Sequence, residues 1–192
     1  MRFYRISCMG ASRYADITDW EGDTSLMTLA VAGKLDEATE DMKLTGIIQV
    51  KKELPDFLDT WANGDVVSGR FKRIAESVAS YGIHFRNLPI RLEKEGGRIV
   101  YDYYFMCFTS AVDTDRLIDL ERSDITYASE EDRRTRNYRR AVLAAKYVLA
   151  SQHDIPYDFF ELRGPRHMII SETLYDWFMV ENISNIKYTL LQ

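Results

Sequence analysis

Two stretches of the chain, 103 residues apart, repeat one pattern of apolar and polar positions. Each stretch begins with two β-branched residues and a serine, continues with apolar residues at helical spacing, and ends in alternation. The positions that match without a gap are Ser68 with Ser171, Phe71 with Leu174, Ile74 with Trp177, Ile83 with Ile186 and Phe85 with Tyr188. The pattern predicts two strand–helix–strand units, at about residues 54–90 and 155–192, whose apolar helix residues face a core.

The two repeated serines stand where each predicted helix begins. A serine hydroxyl in this position accepts a hydrogen bond from a backbone N–H of the first turn, so Ser68 and Ser171 are predicted to be N-caps. Neither serine has the flanking glycines of a nucleophile elbow, and no histidine recurs at a fixed distance from them. Gly82 is predicted to end the first helix, over residues 69–80, and Asn182 or Asn185 the second.

Outside the repeat, alternation predicts strands at residues 2–7 and 46–50 and a hairpin whose arms, 90–93 and 98–107, flank Gly96 and Gly97. Residues 98–107 are rich in aromatics and are predicted to be central in a sheet. Residues 14–24 read as an acidic surface loop, and residues 130–151 have the strongest helix propensity. The predicted fold is α+β: a mixed sheet with two repeated strand–Ser(N-cap)–helix–strand units and a longer C-terminal-half helix, in a single domain over residues 1–192.

Composition narrows the class of protein. The 192 residues are 46% hydrophobic, with a net charge of −5, which is enough apolar material for a sizeable core. The acidic balance argues against a nucleic-acid partner and fits a basic protein partner. The apolar runs are too short for a membrane span, and the first residues do not read as a secretory signal. Cys8 and Cys107 are expected to be buried thiols in a reducing compartment, with a disulfide as the alternative, so the expected location is the cytoplasm.

No set of residues in the sequence forms a catalytic, metal or cofactor motif. The histidines His84, His153 and His167 are isolated, and no glycine-rich phosphate loop is present. The acidic stretch 113–124 lacks the ligand pattern of a calcium loop, so its charges are expected to cap and solvate a short element. We therefore expect no catalytic residue, cofactor or metal. The basic cluster is expected to be a solvated helix face; its members are Arg133, Arg134, Arg136, Arg139 and Arg140.

The order of several short segments resembles a family of small bacterial immunity proteins encoded beside polymorphic toxins. The segments are Val66, Val67 and Ser68 before a helix, residues 87–90 (Asn-Leu-Pro-Ile), residues 119–123 (Asp-Leu-Glu-Arg-Ser), and residues 160–171, from Phe160 to Ser171. The resemblance covers about residues 54–192, with a looser match at Phe3 and Tyr4. It implies a protein that neutralises a cognate toxin by direct binding, without catalysis of its own.

The leading hypothesis is thus an immunity-type protein that covers the active site of a toxin. The acidic residues Asp16, Asp19, Glu21 and Asp23 are the predicted contact with a basic toxin, although a solvated loop would explain them too. The alternatives are an enzyme with an unrecognised carboxylate site around residues 113–124 and a self-associating scaffold. The sequence leaves the oligomeric state, the toxin and its chemistry open.

Overall fold

The computed structural model describes residues 1–58, 60, 65–127, 129–134, 141–151, 154–163 and 167–192. The fold over these residues is α+β with parallel and antiparallel strands, as the sequence predicts. The helices are α1 (Ser25–Ala32), α2 (Gly69–Glu76), α3 (Glu130–Arg134) and α4 (Glu172–Val180). The strands are β1 (Phe3–Cys8), β2 (Asp19–Gly22), β3 (Leu44–Ile48), β4 (Phe57–Leu58), β5 (Asp65–Ser68), β6 (Ile83–Asn87), β7 (Ile90–Leu92), β8 (Arg98–Val100), β9 (Tyr103–Phe108), β10 (Asp124–Tyr127), β11 (Ala141–Lys146), β12 (Phe159–Glu161), β13 (Met168–Ser171) and β14 (Ile186–Leu190).

The two sequence repeats form two antiparallel sheets of the same design. The first has the order β4-β5-β9-β6, with α2 directly after β5, and the second has the order β12-β13-β1-β14, with α4 directly after β13. The Ser68 hydroxyl accepts a hydrogen bond from the Phe71 N–H at 3.2 Å. The Ser171 hydroxyl accepts one from the Leu174 N–H at 3.3 Å. The N-cap prediction is therefore confirmed for both serines.

The central strands of the two sheets are also equivalent, although the sequence match does not include them. β9 lies between β5 and β6, and β1 lies between β13 and β14. The Thr109 N–H, just after β9, donates to the Gly82 carbonyl at 2.7 Å. The Met9 N–H, just after β1, donates to the Asn185 carbonyl at 2.9 Å. Because β9 follows its repeat and β1 precedes its repeat along the chain, the second half is a circular permutation of the first.

The two halves share one hydrophobic core. α2 packs against α4, where the ring centroids of Phe71 and Phe178 lie 4.8 Å apart, and both rings are buried. Neighbouring strand residues alternate between this core and an outer one, as the pleat requires. Val67 faces the shared core while Val66 faces an outer core of the first half. Ile170 faces the shared core, and Ile169 faces an outer core of the second half.

The mixed sheet β2-β3-β7-β8 covers the outer core of the first half. β3 pairs with β7 in parallel, and the other pairs are antiparallel. The predicted hairpin is confirmed between β7 and β8, and its turn holds Gly96 and Gly97 in left-handed conformations (φ 69° and 73°). The predicted arm 98–107 divides into β8 and β9, which belong to different sheets, and β9 is central as expected.

The prediction of a surface loop at residues 14–24 is wrong in part. Tyr14, Ala15 and Ile17 are buried, and β2 pairs with β3. Apolar residues alternate with the acids and place one side of the segment in the core. The pairing of β2 with β3 supplies hydrogen-bond partners to the backbone of the segment. The acidic side chains of β2 remain on the surface.

The prediction of a helix over residues 130–151 is wrong from Ala141 onwards. Of the described residues in this range, 130–134 and 141–151, Glu130–Arg134 is helical and Ala141–Lys146 is a strand that pairs with β10. The following backbone is bound by tertiary contacts: the Asp119 N–H donates to the Val148 carbonyl at 2.8 Å, and the Ala150 N–H donates to the Leu117 carbonyl at 2.9 Å. The alanine-rich composition of this stretch favours a helix, but the pairing of β11 with β10 outweighs that preference.

Three details of the repeat differ from the prediction. α2 ends at Glu76 instead of residue 80, and Gly82, in the left-handed conformation (φ 66°), precedes β6 instead of ending the helix. Asn182, in the left-handed conformation (φ 51°), ends α4 as the first of the two predicted alternatives, while Asn185 matches Gly82 in position and in conformation (φ 65°). Trp177, grouped by its spacing with the core-facing residues, is 51% exposed.

Candidate partner interface

The predicted contact residues lie on and around β2, which is an edge strand of its sheet. Trp20 points inward and stacks on Phe105 at a ring-centroid distance of 5.5 Å. Because successive side chains of a strand point to opposite faces, Asp19 and Glu21 lie on the face opposite to Trp20, and both are exposed. The Asp19 carboxylate accepts a hydrogen bond from the Trp20 N–H at 2.8 Å.

Asp23 lies at the end of β2, just before α1. Its carboxylate accepts hydrogen bonds from the Ser25 hydroxyl and the Ser25 N–H, at 2.5 and 3.0 Å. These bonds hold the pKa of Asp23 below its usual value, although the carboxylate of Asp41 opposes the shift. Asp41 is therefore close enough to add a further negative charge at this place. Its own pKa is lowered by the hydrogen bond from Thr39.

Glu21 and Asp16 have other surroundings. Glu21 forms an ion pair with Arg91 of β7, and Arg91 also pairs with Glu93 at 2.6 Å. Asp16 is half-buried between the buried residues Ala15 and Ile17. The structure thus places Asp19, Glu21 and Asp23 together on the surface and sets Asp16 apart from them. We call Asp19, Glu21, Asp23 and Asp41 the acidic surface.

The acidic surface belongs to a longer acidic region that the sequence pattern around residues 16–23 did not include. Residues 14–42 hold eight acids and one lysine, a net formal charge of −7, whereas the whole chain carries −5. The missed acids are Asp36, Glu37, Glu40 and Asp41, and all are exposed. Arg86 of β6 holds this loop by donating to the carbonyls of residues 38, 39 and 42. A count of charges in a sliding window would have found the region.

The buried serines have a structural environment. Ser68 and Ser171 are 8% and 0% exposed, and their hydroxyls donate to the carboxylates of Asp56 and Asp158. Each serine is therefore hydrogen-bonded both as donor and as acceptor and lies away from solvent. This geometry fits a cap and gives a substrate no access to the hydroxyl.

The carboxylates of residues 113–124 are dispersed along their segment. Asp113 pairs with Arg163 at 2.7 Å. Asp119 accepts from the N–H groups of Glu121 and Arg122, both at 3.1 Å, and so caps a local turn as the sequence predicts. Among the residues that the structure describes, no group of three His, Cys, Asp or Glu side chains has the geometry to hold a metal ion.

The remaining predicted groups that the structure describes have separate surroundings. His167 packs edge-on against Tyr147, and burial together with the Arg5 charge lowers its pKa to about 4. His84 is exposed on β6. Cys107 is buried and Cys8 half-buried, each as a thiol. His153 and the arginines Arg136, Arg139 and Arg140 lie outside the described residues, and nothing is described of the Arg133 side chain. Arg134 pairs with Glu131 at 2.9 Å.

Comparison with known proteins gives one finding that bears on function. The model of the immunity protein family (Imm11) matches residues 8–192, which is nearly the whole chain. The search of curated proteins gives no match. Within the described part of the chain, no helix is both long enough and apolar enough to cross a membrane.

Proposed function

Because the chain belongs to the immunity protein family (Imm11), we propose that it protects a bacterial cell by binding a cognate toxin and blocking it. The proposal places this action in the cytoplasm, on a polymorphic toxin encoded by a neighbouring gene. The protein acts by occupying the toxin and performs no catalysis of its own. The observation that carries the proposal is the family match over residues 8–192.

The acidic surface supports a partner of basic character. Asp19 and Asp23 accept hydrogen bonds from uncharged groups, which leave their negative charges available to a partner, whereas the charges of Lys43 and Arg86 act on Asp41. Clustered charge of one sign accelerates the encounter with a protein of opposite charge and orients it before contact. The same charge repels nucleic acid. We propose that Asp19, Glu21, Asp23 and Asp41 steer a basic toxin domain, and that Asp16 has a mainly structural role.

The position of β2 in its sheet also fits a partner-binding role. Among the described strands, β2 pairs with β3 alone and is the outermost strand of its sheet. Charged residues on an edge strand discourage pairing with like-charged copies of the same chain. A basic partner is not repelled by these carboxylates, so the negative charge of β2 favours a basic partner over a second copy of the chain.

Co-expression tests the proposal directly. The toxin domain from the adjacent gene is expressed alone or with this protein, and growth and co-purification are measured. We expect growth to be restored and a complex to be recovered. If growth stays arrested while this protein is abundant and folded, and no complex is recovered, the proposed function is wrong.

A further inference from the structure

The outer face of α4 is apolar where the fold does not require it. Trp177, Met179 and Val180 are 51%, 51% and 72% exposed, and all three lie in the last turns of one helix. The inner face is already filled by Leu174 and Phe178, which are fully buried. Single exposed apolar residues are common on proteins, whereas a cluster of large ones marks an interaction site more often.

The repeat supplies an internal comparison. α2 occupies the same place in the first half, begins at the equivalent serine and buries its own inner face. At the positions of Asp176 and Met179, α2 has Arg73 and Glu76, and the position of Val180 corresponds to Ser77, which caps the end of α2; all three of these residues are exposed. At the position of Trp177 it has the half-buried Ile74. A polar outer face is therefore compatible with this helix in this fold, so the folding of α4 does not explain its exposed apolar residues.

A carboxylate lies within the apolar cluster. Asp176 precedes Met179 by three residues and Val180 by four, which places it beside both on the helix surface. Glu181 follows directly and is exposed. A partner that covers this face must offer an apolar pocket and a cation beside it, since an unpaired carboxylate is costly to bury.

This chemistry distinguishes among the occupants of the face. A second copy related by a twofold axis through this face would bring Asp176 and Glu181 close to the same acids of the other copy, which opposes association. An anionic membrane surface would be repelled by the same acids. A basic protein with an apolar pocket supplies both the pocket and the cation. Under the proposed function, the toxin domain is basic and so supplies the cation.

We infer that the outer face of α4, centred on Trp177, Met179 and Val180, inserts into an apolar pocket of the toxin domain, with Asp176 pairing to a cation of the toxin domain beside that pocket. This inference rests on the proposed function and names a second contact besides the acidic surface. The acidic surface steers the encounter, and the α4 face supplies the apolar anchor that holds the complex. Buried aromatic anchors of this kind dominate the affinity of many interfaces.

The test transfers the residues of α2 onto α4. The triple variant Trp177→Ile, Met179→Glu and Val180→Ser carries the residues that α2 and its C-cap Ser77 have at the equivalent positions. Its affinity for the purified toxin domain of the adjacent gene is measured by calorimetry, and its thermal midpoint is compared with that of the wild type. Tyr101→Ser is the matched control, because Tyr101 is 64% exposed and lies between β8 and β9. We expect the triple variant to bind about 30-fold or more weakly and the control to bind as the wild type does.

A second readout reports on Trp177 itself. The difference between the emission spectra of the wild type and Trp177→Phe isolates the signal of Trp177, which should shift to shorter wavelength when the toxin domain covers it. A folded triple variant that binds within threefold of the wild type, with no shift of Trp177 emission, would overturn the inference and leave the proposed function standing. A wild-type protein that neither binds the toxin nor protects the cell would remove both. A wild-type dimer that becomes a monomer in the triple variant, seen by sedimentation, would identify a second copy as the occupant and also overturn the inference.

Discussion

At the scale of single residues, the buried carboxylate of Asp56 joins the two halves. It accepts hydrogen bonds from Ser68 and Arg70 of its own half, at 2.6 Å each. From the other half it accepts the N–H and the hydroxyl of Ser184, at 2.9 and 2.8 Å. Burial raises the pKa of Asp56, but the hydrogen bonds from Arg70, Ser68 and Ser184 outweigh burial and leave the pKa below its usual value.

Asp56→Asn should lower the free energy of unfolding by about 1–3 kcal/mol at pH 7, because Arg70 loses its charged partner and one carboxylate oxygen that accepts hydrogen bonds is replaced by an NH₂ group. The charged form of Asp56 is favoured by folding, so its contribution is present above about pH 4 and is lost as pH falls through the lowered pKa. Urea unfolding at pH 7 and pH 3 measures both effects. Asp158→Asn is the comparison, since the structure records hydrogen bonds to Asp158 from Ser171 and Ala79. Equal stability of Asp56→Asn and wild type at pH 7 would contradict this role.

His167 should give the protein a second and separate dependence on pH. Its pKa in the folded state is about 4, because burial and the Arg5 charge disfavour the imidazolium. The unfolded chain binds this proton near pH 6.5, so folding becomes less favourable as pH falls from about 6.5 towards 4. His167→Gln should make the thermal midpoint, measured by scanning calorimetry, depend less on pH across this window, whereas His84→Gln, at an exposed position of β6, should leave that dependence as in the wild type. Identical slopes in wild type and His167→Gln would refute the assignment.

At the scale of elements, short capped motifs were predictable and long propensity runs were not. The repeat was visible because a serine cap, a helical face and an alternating strand are all local, and both halves satisfy them. The helix expected over residues 130–151 failed because pairing of β11 with β10 is a tertiary contact that composition does not encode. The equivalence of β1 and β9 was hidden because a circular permutation changes their order along the chain.

The same contrast holds for the candidate interface. The acidic residues of β2 were identified from charge alone, but the half-buried position of Asp16 depends on its apolar neighbours Ala15 and Ile17 packing inward. The α4 face could not be predicted, because the spacing of Trp177 matches both a core-facing and an outward position. Only the packing of Leu174 and Phe178 determines which side of the helix is inner.

The acidic surface should act mainly on the rate of association. Asp19→Asn with Asp23→Asn removes two charges and keeps an oxygen acceptor for the Trp20 and Ser25 N–H groups. We expect binding to the toxin domain to be several-fold slower at low salt and the difference to shrink at high salt, with dissociation little changed. Surface plasmon resonance over a salt series measures this.

The control for that prediction is Asp115→Asn with Glu121→Gln, which changes the net charge equally at exposed positions of residues 113–124. It should associate like the wild type. A control as slow as the β2 variant would mean that net charge, and not the acidic surface, sets the rate. Loss of protection in the control alone would favour the alternative of a functional carboxylate site in this segment.

At the scale of the whole molecule, the shared core and the Asp56 network predict that the two halves unfold together. We propose that residues 1–192 form one cooperative domain. Variants that retain only Trp20, which packs in the first half, or only Trp177, on α4, report on separate halves. Their urea transitions should coincide, and Phe178→Ala should shift both by about 3–5 kcal/mol. Two separate transitions would show independent halves.

The most direct test of the central claim is a titration of toxin activity with this protein. A constant amount of the toxin domain is mixed with increasing amounts of the protein, and residual toxin activity is measured after equilibration. An inhibitor that works by occupying its partner predicts a loss of activity proportional to the protein added, complete near one equivalent and reversed when the complex is separated by denaturation and the toxin refolded. Complete inactivation by far less than one equivalent, or toxin that stays inactive after separation, would show that the protein acts as an enzyme. Unchanged toxin activity at excess protein would show that the protein does not neutralise this toxin.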